Sequence, residues 1–261
     1  MATAMIAGIT KQELIQPENI IASDPYVGQL EKLSQRYHIQ TTQSNLEAVK
    51  GRDIVVLSIK PQSLAEVAEE LRAHIPNRAL VLSIIAGATI KKMSQKLHHY
   101  RVVRVMPNTP ARVGKGMSVW TATDEVTETQ RGQAREILAA LGEEIYVNHE
   151  DELDMATALS GTGPAYVFLF MEAMIDAGVH MGFSRRVAQE LVYQTIEGSV
   201  AFARESQRHP VELRNMVTSP GGTSAEALYQ LEKGGFRTVL SKAIWAAYQK
   251  SRYLGGLDND G

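Results

Sequence analysis

The feature that most constrains this chain is a change of hydrophobic period just past its middle. Between Asn19 and Val147 short apolar runs alternate with helical patterns; after Asn148 nearly every segment has a helical period. The runs Asp53-Ile-Val-Val-Leu-Ser-Ile and Ala79-Leu-Val-Leu-Ser-Ile-Ile are continuous apolar stretches, which suit parallel strands buried on both faces. Further strands are expected at residues 19–23, 101–106, 117–122 and 144–147, with helices at 27–37, 64–75, 90–97 and 128–141. Alternation at this density predicts a mainly parallel, doubly wound α/β sheet. Downstream, helices are expected at 165–181, 184–205 (with Ser184 as N-cap), 212–217, 225–233 and 236–253. The chain thus reads as an α/β domain over residues 1–148 and an all-α domain over 149–261, with the polar stretch Asn148-His-Glu-Asp-Glu at the boundary.

Composition narrows the function classes. The 261 residues contain no cysteine, which excludes disulfides, a thiolate nucleophile and Cys-ligated metal. The seven histidines show no zinc spacing and are assigned to the surface or to helix ends, so no metal is expected. A net charge of −2 carries no footprint for nucleic acid. The uncharged apolar run at residues 79–90 is too short to span a bilayer. The start Met-Ala-Thr-Ala-Met lacks a basic targeting region. The expectation is a soluble, cytoplasmic protein without membrane or nucleic-acid partners. An all-α half this apolar either packs as a self-contained bundle or supplies a subunit interface.

Three strand ends carry ligand-type signals. Leu57-Ser-Ile-Lys-Pro-Gln, Ser83-Ile-Ile-Ala-Gly-Ala and Met106-Pro-Asn-Thr-Pro-Ala each close a strand with Pro or Gly. Open α/β sheets bind ligands outside the carboxyl ends of their strands, so Lys60, Ala86, Gly87 and Asn108 are expected along one rim of a dinucleotide cleft. Ser160-Gly-Thr-Gly-Pro-Ala contains Gly-x-Gly, but no strand precedes it and Tyr166 stands at the third glycine position; it reads instead as a close helix–helix or backbone–ligand approach in the helical half. In the helical half, Ser219-Pro-Gly-Gly-Thr-Ser-Ala-Glu forces a tight turn with bare backbone. Thr223 and Glu226 have capping-box spacing, so a helix should start there. Unpaired N–H groups at a positive helix end, with the hydroxyls of Ser219, Thr223 and Ser224 beside them, suit a carboxylate or phosphate. A glycine turn before a capped helix produces the same pattern without any ligand.

Taken together, Val105-Met-Pro-Asn-Thr-Pro-Ala, Ala158-Leu-Ser-Gly-Thr-Gly-Pro-Ala-Tyr and the stretch from Pro210-Val-Glu-Leu to Val217-Thr-Ser-Pro-Gly-Gly-Thr-Ser resemble Δ1-pyrroline-5-carboxylate reductase, in order and with matching spacing over nearly the whole chain. The resemblance implies a Rossmann-type domain followed by an all-α dimerisation domain. It also implies reduction of a cyclic imine to L-proline, the last step of proline biosynthesis, with NADPH or NADH, and interlocked homodimers that in some members build decamers. By the same resemblance Ser219, Gly221, Gly222, Thr223 and Ser224 bind the substrate, with Ser224 at the ring nitrogen. Ser23, Asp24, Asn45, Ser58, Ile59, Lys60, Pro61, Ile84, Ile85, Ala86 and Asn108 would face the cofactor. The family usually has threonine where Ser224 stands, so the hydroxyl is kept and its β-branched stiffness is lost. Asp24, with no arginine following it, favours the free ribose hydroxyl of NADH.

Imine reduction needs a hydride donor, a carboxylate anchor and a hydrogen-bonding group at nitrogen, and no strong general acid. A β-hydroxyacid dehydrogenase would need a lysine in the first long helix of the helical half, yet none occurs from Gly116 to Glu232. The family opens on a strand and a Gly-x-Gly-x-x-Met turn, roughly ten residues, whereas this sequence begins inside that turn, without the strand and the glycines. Two expectations follow: a reductase whose start lies upstream of Met1, or a non-catalytic homologue that acts only as an oligomerisation partner.

Overall fold

The computed structural model describes residues 1–256. They divide into two compact units, Met1–Thr162 together with the segment from Ala247 onward, and Gly163–Ala246.

The first unit carries seven strands. Strands β1 (Ile21–Ser23) and β2 (Gln40–Thr42) pair in parallel; β3 (Ile54–Leu57), β4 (Leu80–Ser83), β5 (Val102–Pro107), β6 (Gly116–Ala122) and β7 (Gly142–Tyr146) form a second sheet in that order. Its pairs β3–β4, β4–β5 and β6–β7 are parallel, while β5–β6 is antiparallel, with Val105 opposite Trp120. β1 and β3 each have a neighbour on one side only, so the parallel arrangement is split into two sheets.

Side-chain alternation explains why the centre of the five-stranded sheet is buried on both faces. Leu80, Leu82, Val103, Val105 and Trp120 point to one face, covered by α1 (Ala2–Lys11) and α6 (Glu128–Ala139) through Met5, Ile9, Ile137 and Leu138. Val55, Leu57, Val81 and Val102 point to the other, covered by α4 (Leu64–Leu71) and α5 (Ile90–Leu97) through Leu64, Ala68, Leu71, Met93 and Leu97. A smaller core of Ile6, Leu33 and Ile39 ties α1 to α2 (Val27–Tyr37) and the β1–β2 pair. α6 starts with a capping box from Thr127 and Gln130. Short α3 (Asn45–Val49) and α7 (Glu152–Ala156), followed by one π-helical turn at Thr157–Gly161, complete the unit.

His99 departs from its assignment to the surface. It is 4% exposed, and its Nε2 donates to the Ala79 carbonyl at 2.8 Å. Burial is the main cause holding its pKa below the ordinary value of 6.5; the Ala79 hydrogen bond opposes this and the Arg101 charge adds to it. The unfolded chain therefore takes a proton at higher pH than the folded one. The stability His99 contributes is present above pH 6.5 and is lost as pH falls through its folded pKa. Thermal denaturation across that window should show the melting temperature falling on acidification, with a shallower slope in His99→Gln; parallel slopes would contradict it.

The helical unit contains α8 (Gly163–His180), α9 (Arg185–Ser206), α10 (Pro210–Met216), α11 (Thr223–Lys233) and the first part of α12 (Phe236–Gly255). Ser184 caps α9, its side chain accepting from the Val187 N–H at 3.4 Å. α8 and α9 meet at Gly178, where an added Cβ would sit 3.0 Å from that of Ala188. The buried core here is small, Ile175, Ala188 and Val192, whereas Phe168, Leu169, Val239 and Trp245 are each 60% exposed or more. One expectation about apolar length needs correction. Glu152–His180 is a continuous helical run of 29 residues, mean hydropathy 1.2 in its most apolar window, long and apolar enough to cross a membrane by length and composition. Its uncharged stretch from residue 155 to residue 171, between Asp154 and Glu172, is longer than the run at 79–90; Ser160, Gly161, Gly163 and Pro164 break its apolar character in the sequence.

Candidate active site

Because β3, β4 and β5 are parallel, the residues after Leu57, Ser83 and Pro107 emerge at one edge of the sheet. Pro61 opens a 3-10 turn that leads into α4, and the Ile84 N–H donates to the Leu57 carbonyl at 3.1 Å. That bond places the 58–61 and 84–86 segments side by side. Ser58, Ile59 and Ile84 are half-buried, Ile85 is buried, and Lys60, Pro61 and Ala86 are exposed. Gly87 has φ +70°, the left-handed conformation that favours glycine, and turns the chain toward α5.

At the end of β1, Ser23 Oγ donates to Asn45 Oδ1 (2.8 Å), and Asn45 Nδ2 donates to Glu70 Oε2 (2.7 Å). Asp24 Oδ1 accepts from the Tyr26 N–H at 2.9 Å, fixing the carboxylate in an Asx turn. Glu70 is a member of this cluster that sequence reading missed; it stands on the exposed side of α4 with nothing in its spacing to single it out. Asn108 is differently committed. Its Nδ2 donates to the Ser160 carbonyl (3.1 Å) and its Oδ1 accepts from the Met117 N–H (2.9 Å). The π-helical turn brings Ser160-Gly-Thr onto the end of β5, where a Cβ on Gly161 would sit 2.6 Å from Met106 Cε. The close approach of that motif therefore falls on the end of a strand in the first unit, not between helices of the helical half.

These groups fit a dinucleotide by their chemistry. The Asp24 carboxylate and Ser23 hydroxyl can hydrogen-bond sugar hydroxyls, and the apolar Ile59, Ile84 and Ala86 offer a surface for a ring. α1 begins without a side-chain cap on its first N–H groups. The Met1 ammonium there is held below its ordinary range by burial first and by the nearby Arg112 charge second.

In the helical unit, residues 219–222 form a tight turn closed by the Gly222 N–H to the Ser219 carbonyl (3.1 Å). Pro220 then Gly221 at φ +69° is the pattern of a type II turn. A Cβ on Gly222 would collide with Ser219 Oγ. The expected capping box is not formed: Gly222 occupies the N-cap with no side-chain bond, and Thr223 is already the first helical residue. The first N–H bonded back into this turn is that of Glu226, to Gly222 at 3.2 Å. The N–H groups of Thr223, Ser224 and Ala225 therefore remain at an open, positive helix end. Ser224 is half-buried one residue inside it.

The fold and the rim define a Rossmann-type, dinucleotide-binding class of protein with an appended helical domain. Two family models match, one described as NADP oxidoreductase coenzyme F420-dependent over residues 1–87, the other as pyrroline-5-carboxylate reductase dimerisation over residues 150–254. The pyrroline-5-carboxylate reductase of Synechocystis is 38% identical over 98% of this chain and 95% of its own length; that of Pseudomonas aeruginosa is 40% identical over 97% and 93%. Among solved structures, the enzyme from Coxiella burnetii superposes with a TM-score of 0.90 at 34% identity, covering 97% of this chain and 94% of that one. The Plasmodium falciparum enzyme, solved with NADP bound, gives 0.88 at 34% identity with the same coverage. The chain belongs to the pyrroline-5-carboxylate reductase family.

Proposed function

We propose that this chain reduces 1-pyrroline-5-carboxylate to L-proline by hydride transfer from NADPH or NADH. Family membership over nearly the full length carries this reading. The open helix end at residues 223–225 is the structural feature that best supports it, because it can hold a carboxylate without an arginine. The carboxylate is held by the 219–224 loop, through the N–H groups of Thr223 and Ser224 and the hydroxyl of Ser219, with Gly221 and Gly222 keeping the approach clear. Ser224 Oγ hydrogen-bonds the ring nitrogen and holds the proton there as the imine becomes an amine. The nicotinamide cofactor, when bound, supplies the hydride that adds to the imine carbon. Ser23, Asp24 and Asn45 hold the adenosine ribose; Ser58, Ile59, Lys60, Pro61, Ile84, Ile85 and Ala86 line the remainder, and Asn108 keeps the end of β5 in place for them.

Asp24 favours NADH, since its carboxylate repels a 2′-phosphate. Replacing Asp24 by serine should raise the NADPH-to-NADH ratio of kcat/KM roughly three- to tenfold; an unchanged ratio would remove Asp24 from the ribose site. The dimerisation-family match and the exposed apolar side chains of α8 and α12 support a homodimer that can assemble further. The match at residues 150–254 supports a family-domain boundary near 148, whereas the compact units divide between Thr162 and Gly163. A soluble cytoplasmic enzyme without membrane or nucleic-acid partners belongs to the same reading. Titration of the chain with NADH and NADPH, followed by an assay of pyrroline-5-carboxylate-dependent cofactor oxidation, tests it. Binding with turnover supports the reductase; dimers that bind neither nucleotide would support a purely oligomerising homologue.

A further inference from the structure

Arg104 lies within the buried valines of β5, 5% exposed, at a position where a charge requires a partner. Its Nη1 bonds Glu150 Oε1 at 2.7 Å and its Nη2 lies 4.0 Å from Asp154 Oδ1. Glu150 Oε1 also accepts from the N–H of Ile90, the first residue of α5, at 2.7 Å. Asp154, 1% exposed, accepts from Ser251 Oγ of α12 at 2.6 Å, and its Oδ2 has no hydrogen-bond partner among the described residues. One turn beyond Ser251, the backbone of Leu254 closes on the 84–89 loop. A Cβ on Gly87 would stand 3.2 Å from the Leu254 carbonyl oxygen. The loop that presents Ala86 is thus held from three sides: Leu57 and Ser83 at its start, Glu150 at its end, and α12 across its middle.

We infer that Ser251 and Asp154, with Arg104 and Glu150, form a brace that positions the 84–89 loop for the nicotinamide cofactor. Ser251 is a positioning residue that acts through the last turn of α12. The inference rests on the reading above that this loop faces the cofactor. A polar brace suits the task because it fixes direction. Ser251 has one hydroxyl proton to donate, and the Asp154 carboxylate, otherwise half-unpaired in a buried site, takes it at short range. Losing that bond frees the turn carrying Leu254 while leaving the apolar core of the sheet intact.

The test uses the full chain with Ser251→Ala and Ser251→Thr. Amide hydrogen exchange, measured without cofactor, should speed up in the 84–90 region of Ser251→Ala and return to the wild-type rate in Ser251→Thr. In steady state Ser251→Ala should raise the KM for the cofactor about three- to tenfold, leave the KM for the imine within about twofold, and be rescued by threonine. Unchanged exchange in the 84–90 region of Ser251→Ala would overturn the brace whether or not the chain is active. Faster exchange there with both KM values unchanged would leave the loop braced but contradict its role in cofactor placement. A wild-type chain that shows no cofactor binding would instead overturn the cofactor assignment, and the exchange data would still decide the brace.

Discussion

Ser224→Ala is expected to lower kcat/KM for 1-pyrroline-5-carboxylate by roughly 10- to 100-fold and to leave nucleotide affinity unchanged. The magnitude follows from the group removed. A hydrogen bond to a nitrogen that carries positive charge contributes about 1.5–3 kcal/mol, and each 1.4 kcal/mol is about tenfold in rate. Ser224 is the second residue of α11, half-buried, with Gly222 rather than its own hydroxyl at the helix cap. Its removal should therefore spare the helix. Ser224→Thr, which restores the residue usual in the family, should retain activity, since the hydroxyl is kept and its rotamers are narrowed. Steady-state kinetics with both variants, alongside nucleotide titration, check this; wild-type turnover in Ser224→Ala would move the nitrogen contact elsewhere.

A charge in the exposed apolar face of the helical unit should have a larger effect on assembly. Leu169, on α8, is 65% exposed, while the buried core of this unit is confined to Ile175, Ala188 and Val192. In a symmetric dimer the substitution Leu169→Asp acts twice. Each copy forfeits about 2 kcal/mol of apolar burial, before any penalty for desolvating the carboxylate. A total of about 4 kcal/mol or more corresponds to roughly a thousandfold weaker dimer. Sedimentation of the full chain should show Leu169→Asp as monomer at concentrations where the wild type is dimeric. Tyr100→Asp, at a position also exposed but in the α/β unit, should leave the dimer intact. A dimeric Leu169→Asp would place the interface on another face.

What could be read from sequence followed the strength of the local signal. Helices α2 and α5 have the expected bounds because an amphipathic period runs their whole length and ends at a left-handed His38 or His98. β2, with three polar residues, and the five-residue α3 carry too few periods to register. β6 was legible as a strand, but its antiparallel direction was not: alternation of side chains specifies a strand and not the way it runs. The 219–222 turn was legible through Pro220 and the two glycines, whose turn chemistry is local. Its capping box was misread, because a glycine ahead of threonine can take the N-cap and push the threonine into the helix. The rim residues were legible through the prolines and glycines that end the strands. The partners that hold them, Glu70, Glu150 and Asp154, come from elsewhere in the chain and leave no local pattern. Arg104 within Val102-Val-Arg-Val was the one available signal, a charge in a buried strand that needs a counter-charge.

The central claim is hydride transfer to a cyclic imine, and isotope transfer tests it most directly. The full chain is incubated with 1-pyrroline-5-carboxylate and NADH or NADPH deuterated at the transferable position of the nicotinamide. The product is then separated by chiral chromatography and read by mass spectrometry. The account predicts L-proline carrying one deuterium at its δ-carbon, at a rate that drops in Ser224→Ala. Proline without deuterium, or no proline from a chain that binds the nucleotide and the substrate, would contradict it.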